Sequence, residues 1–92
     1  MYVEEFRVAG PLTVESAEEL TTVLLGYTSR ITVSSNGRSV NVPLLPTCLD
    51  VLRLRAGSVV TVTVEHGHHP ELDEDRQAIR AFVDRFQELT GR

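Results

Sequence analysis

Apolar and polar positions repeat along this chain at two different periods, and the changes from one to the other mark out seven elements. From Tyr2 to Val8, Tyr2, Phe6 and Val8 fall on one face and Val3, Glu5 and Arg7 on the other, which predicts a strand. The loop Gly10-Pro11-Leu12-Thr13-Val14-Glu15 leads into Ser16-Ala17-Glu18-Glu19. Ser16 there reads as a helix N-cap, with a glutamate three residues on completing a capping box. Ala17, Leu20, Val23, Leu24 and Tyr27 then share one side at helical spacing, and Gly26 is placed to supply a left-handed stop.

The strongest local signal is Ser35-Asn36-Gly37-Arg38, because Asn-Gly accommodates the two positive φ angles of a type I′ turn. Counting outward pairs Ser35 with Arg38, Val33 with Val40 and Ile31 with Val42, so the β-branched residues of both strands share a face. Pro46 suits the first position of a short helix, where its missing N–H is not needed. Leu45, Cys48, Leu49 and Leu52 follow as a buried stripe, and Ala56-Gly57 ends the segment. Val60, Val62 and Val64 alternate with Thr61, Thr63 and Glu65 in a fourth strand with one wet face. The last helix is expected to open at Asp73-Glu74-Asp75, bury Ile79, Phe82, Val83, Phe86 and Leu89, and stop near Gly91. The order β-α-β-β-α-β-α, with polar alternate positions on the strands, predicts an α+β open-faced β-sandwich. A four-stranded antiparallel sheet carries three helices on one face.

Composition narrows the function more than the fold. With 92 residues there is room for one domain. Hydrophobic content of 41% with 24% charged residues places the chain among globular proteins and not disordered ones. Thirteen acidic against nine basic residues give a net charge of −4, and no basic stripe interleaves with aromatics, so nucleic acid is not an expected partner. A lone Cys48 forms no intrachain disulfide and reads as a small core residue. Acids occupy Met1-Tyr2-Val3-Glu4-Glu5-Phe6-Arg7 where a secretory signal would carry a basic region. The runs Val59 to Val64 and Leu44 to Leu54 fall far short of the roughly 20 apolar residues that span a bilayer. A cytoplasmic protein with no membrane partner and no cofactor is expected.

The run Glu5-Phe6-Arg7-Val8, the segment Ile31-Thr32-Val33-Ser34-Ser35-Asn36-Gly37-Arg38-Ser39-Val40-Asn41-Val42, and Ala56-Gly57 before Val59-Val60-Thr61-Val62-Thr63-Val64 together resemble HPr. HPr is the small phosphocarrier of the bacterial phosphoenolpyruvate-dependent sugar phosphotransferase system. The resemblance covers nearly the whole chain and implies the open-faced sandwich already read from the pattern. It also implies where the chemistry would sit. The family motif Gly-Ile-His-Ala-Arg-Pro-Ala, registered on Ala17, places Thr13 at the phosphorylated histidine, Glu15 at the arginine and Ser16 at the proline. A relay needs a ring nitrogen that is nucleophilic near pH 7 and forms a transferable N–P bond, and a threonine hydroxyl supplies neither. A unit charge about 4 Å from a phosphoryl charge interacts by roughly 4 kcal/mol at an effective dielectric of 20, attractive for arginine and repulsive for Glu15. The serine that a regulatory kinase modifies in many Gram-positive members would fall at Leu44 or Leu45, leaving Thr47 as the nearby hydroxyl.

Two further sets of residues carry candidate chemistry. His66, His68 and His69 sit together in the loop before the last helix and offer imidazoles to Zn, Ni or Cu, though without the ligand spacing of a structural zinc site. Protonating all three would move the net charge from −4 to −1, a pH response between about pH 6 and 7. Leu25, Leu44, Val51 and Leu54 lie off the buried stripes and form a possible patch for a protein partner, against the alternative of ordinary scattered leucines. Thr13 itself has two readings, a phosphorylated switch at a helix start or a hydroxyl that bonds the loop backbone. The expected function is a non-enzymatic, HPr-like interaction or regulatory module whose partner is a phosphotransferase-system or regulatory protein. A surviving phosphoryl carrier and a metal- or pH-responsive protein are the alternatives.

Overall fold

A computed structural model describes residues 2–65 and 74–91. Strands β1 (Tyr2–Arg7), β2 (Arg30–Ser35), β3 (Arg38–Asn41) and β4 (Val59–Glu65) alternate with helices α1 (Val14–Val23), α2 (Leu49–Leu52) and α3 (Glu74–Leu89). The strands form one antiparallel sheet in the order β1-β4-β2-β3. Alternation places Val60, Val62 and Val64 of β4, with Ile31 and Val33 of β2, on the helix-covered face, where all five are buried. The other face is polar. There Thr32 Oγ1 donates to Asn41 Oδ1 at 3.1 Å, and the hydroxyls of Ser34 and Ser39 lie 2.7 Å apart. These cross-strand pairs give the wet face its own specificity of register.

The hairpin forms as its sequence requires. Asn36 and Gly37 both take positive φ, 54° and 76°, and Ser35 and Val33 oppose Arg38 and Val40. Pairing stops at Thr32 and Asn41, so the expected Ile31–Val42 pair does not form, because Val42 leaves the strand to begin a 3-10 segment. The apolar stripe of α3 closes the core: Phe82 and Phe86 are fully buried, and Phe86 meets Phe6 of β1 edge-on with ring centroids 5.4 Å apart. Gly91, at φ 94°, ends that helix as expected.

Three further local expectations differ from the structure, each for a physical reason. Ser16 is not the N-cap of α1; Thr13 is, and the helix starts three residues earlier at Val14. Either start leaves Ala17 and Leu20 on the buried face, so the earlier one gains backbone hydrogen bonds without moving the core. Gly26 does not take a left-handed stop. The chain tightens into a 3-10 turn over Leu24–Gly26 and leaves it extended at Tyr27, φ −123° and ψ 150°. Pro46 lies inside the 3-10 segment Val42–Thr47 and does not open α2, which is confined to Leu49–Leu52. Proline has no N–H to return to the carbonyl four residues back, and Pro43 and Pro46 together leave 3-10 turns as the available winding.

Side chains far apart in sequence lock the layers. The Glu74 carboxylate, at the start of α3, accepts from Thr28 Oγ1 at 2.5 Å, from the Thr28 N–H at 3.3 Å and from Ser29 Oγ at 3.4 Å. The neighbouring Asp75 accepts from Ser29 Oγ at 2.5 Å. Farther along, Arg85 of α3 pairs with Glu19 of α1 and with Glu88. Its hydrogen bonds to Glu88 and then Glu19 hold the guanidinium more firmly protonated than usual. Among the described residues no helix is long and apolar enough to cross a membrane.

Candidate functional site

The segment between β1 and α1 is fixed at both of its ends. Val8 continues the pairing of β1 by donating to Ser58 O at 3.0 Å and accepting from Gly57 N at 2.8 Å. Leu12 is buried, and Thr13 follows it in extended conformation, φ −94° and ψ 165°. From that position Thr13 Oγ1 accepts from the Ser16 N–H at 3.1 Å and donates to Ser16 Oγ at 3.0 Å, while Thr13 O accepts from the Ala17 N–H at 2.9 Å. The hydroxyl is thereby engaged both as acceptor and as donor, the arrangement of an N-cap. Among the described residues no base is hydrogen-bonded to it. Glu15 stands exposed in the first turn of α1, where its charge suits the positive end of the helix.

Capping gives a measurable role to the residue. Thr13→Ala is expected to lower stability by about 1 kcal/mol, and Thr13→Ser to restore most of it. At this chain length that corresponds to a fall in Tm of about 4–8 °C, readable by thermal denaturation. A Thr13→Ala protein that melted like the parent would mean that the cap contributes nothing.

The remaining candidates separate by burial. Leu45 is fully buried in the core, so that position presents nothing to solvent, whereas Leu44 is 55% exposed. Thr47 is exposed, and its hydroxyl donates to Leu44 O at 3.0 Å. Leu25, at 83%, is the most exposed of the large apolar residues among those described. Val51 and Leu54, by contrast, are half-buried and pack against the core, so the exposed part of the expected patch reduces to Leu25 and Leu44. Val14, 52% exposed at the start of α1, adds an apolar residue that helical periodicity alone did not single out. A groove of about 560 Å³ runs beside Leu25, between the end of α1 and the 3-10 segment, with Tyr27, Pro43 and Pro46 among its walls. No periodic signal marks those three as neighbours; tertiary packing alone brings them together. His66, His68 and His69 lie outside the described residues. Among the described residues no three histidine, cysteine or carboxylate side chains cluster as metal ligands would.

No protein-family model matches the sequence, and no curated protein matches it either. Solved structures do. HPr-C-His from Thermoanaerobacter tengcongensis matches over 100% of this chain and 98% of its own, with a TM-score of 0.75 and 20% identity. The fold is that of HPr. The phosphocarrier protein HPr from Bacillus anthracis str. Ames matches over 94% of this chain and 96% of its own, with a TM-score of 0.72 and 19% identity. The histidine-containing phosphocarrier protein of Mycoplasma matches over 99% and 100%, with a TM-score of 0.73 and 17% identity. In these matches the HPr fold spans 94–100% of this chain and 96–100% of the matched chains. At these identities it speaks for architecture and leaves the chemistry to the residues.

Proposed function

We propose that this chain is an HPr-like domain that no longer accepts a phosphoryl group and acts by binding a protein partner, from the phosphotransferase system or its regulation. The observation that carries the reading is the state of Thr13. Where the family resemblance places the phosphorylated histidine, this chain has a hydroxyl committed to capping α1. A hydroxyl without a base is a poor phosphoryl acceptor near pH 7, and a phosphothreonine ester does not pass its group onward as an N–P bond does.

The surroundings point the same way. Glu15 stands where the resemblance places the arginine and would repel the group an arginine would stabilise. His66, His68 and His69 fall in sequence between β4 and α3, far from the Thr13 segment along the chain, and lie outside the described residues. Neither Leu44 nor Leu45 offers a hydroxyl at the position of the regulatory serine. Leu25 and Leu44 supply exposed apolar area on the helical side, a surface of the kind partner proteins use.

The test is intact-mass spectrometry after incubation with phosphoenolpyruvate, magnesium and enzyme I of a sugar phosphotransferase system, beside a control HPr. An unchanged mass while the control labels fully is the expected result. One added phosphoryl group, mapped by peptide analysis to any residue, overturns the loss of the carrier function.

A further inference from the structure

All nine cationic residues of this chain are arginines, in a protein whose net charge is −4. Three of them, Arg38, Arg53 and Arg55, are carried by segments that the fold ties together at one end of the sheet. Arg38 follows the hairpin turn, opposite Ser35. Arg53 ends α2, and Arg55 opens the turn into β4, its N–H donating to Ser58 Oγ at 3.0 Å. Asn36 joins hairpin to helix: its Nδ2 donates to Leu52 O at 2.8 Å and to Arg53 O at 3.4 Å. Ser35 Oγ donates to Val59 O at 2.7 Å and so fixes the same turn to β4.

All three arginines are exposed, and none has a side-chain hydrogen bond or ion pair among the described residues, in contrast to Arg85 with its two carboxylates. Asp50 is the single carboxylate on α2, so the group keeps a net positive charge. Arg53 also adopts a left-handed conformation, φ 52° and ψ 48°, at the position following a helix where glycine or asparagine is usual. Glycine would adopt this conformation without the steric cost that the arginine side chain carries.

We propose that Arg38, Arg53 and Arg55 form a binding site for a phosphoanion. Guanidinium forks on three separate segments suit a tetrahedral, multiply charged anion, which accepts hydrogen bonds from several directions; a planar carboxylate is matched by one fork. The site requires no covalent transfer and does not depend on the fate of Thr13.

The experiment is an amide NMR titration of the whole chain with inorganic pyrophosphate at low ionic strength, with citrate as the carboxylate probe. Pyrophosphate is expected to shift the amides of residues 36–38 and 53–58 and to bind more tightly than citrate. Arg53→Gly, which relieves the backbone and leaves the fold intact, should weaken pyrophosphate binding about tenfold, the loss of one charge-assisted hydrogen bond. Arg55→Gln should do the same, and Arg85→Gln should leave binding unchanged. Shifts spread over α3 instead, full affinity in Arg53→Gly, or citrate bound as tightly as pyrophosphate would each overturn the phosphoanion site. Mass spectrometry after phosphoenolpyruvate reads covalent attachment, so that test and this reversible titration fail independently.

Discussion

Phe86→Ala is expected to destabilise the protein by about 3–5 kcal/mol, the largest effect of any single change considered. Phe86 is fully buried, with Phe6 edge-on at 5.4 Å and Phe82 tilted at 5.9 Å. Truncation removes the transfer free energy of a ring and leaves a void between α3 and the edge strand β1. Two aromatic contacts are lost as well, each worth about 0.5–1.5 kcal/mol beyond burial. A domain of this length has a total stability of roughly 5–14 kcal/mol, so the variant would keep only part of it. Urea unfolding should show a much lower midpoint with an unchanged slope. A loss under about 1 kcal/mol would mean that α3 does not close the core at this point.

The elements that could be read from sequence are those whose cause is local. Asn36 and Gly37 specify the hairpin because the turn's φ angles are a property of two residues, and the register of Val33 and Val40 follows by counting. The valines of β4 and the aromatics of α3 declare their buried faces through period alone. Helix ends were less legible. Thr13 and Ser16 are both capping residues three apart, and the hydrophobic pattern is satisfied by either, so only backbone bonding decides between them. Pro43 and Pro46 act jointly, a constraint that a stripe drawn through Leu45, Cys48, Leu49 and Leu52 does not contain. The candidate site divides in the same way. That Thr13 replaces an imidazole is visible in sequence, but its engagement with Ser16 depends on where the helix begins. The bonds from Asn36 to the end of α2 and from Thr28 to Glu74 span 16 and 46 residues and leave no periodic trace.

The second large effect belongs to the longer of these two ties. Glu74→Ala is expected to cost about 2–3 kcal/mol, although a helix-start glutamate in sequence looks like an exposed residue serving the dipole. Glu74 is only 7% exposed, and its carboxylate accepts from one N–H and two hydroxyls of Thr28 and Ser29. Removing it takes this acceptor from the Thr28 N–H and hydroxyl in a part-buried contact, while Ser29 Oγ keeps Asp75, and the loss at Thr28 is the larger part of the cost. Glu74→Gln keeps the shape and one acceptor but turns an NH2 toward donors, so a loss of about 1 kcal/mol is expected. Unfolding free energies of the two variants check the order, and hydrogen exchange locates the damage. Exchange should quicken at Thr28 to Ile31 by more than the global loss accounts for, while the amides of Val60 to Val64 follow global stability alone. Equal quickening everywhere would mean that Glu74 supports the whole core and not this tie. Thr28 and Ser29 also line the groove beside Leu25, so loosening them would disturb the apolar surface on which a partner is proposed to dock. A partner that bound there would in turn stabilise the Thr28–Glu74 contact by mass action, and the same exchange measurement would detect it as renewed protection at Thr28 to Ile31.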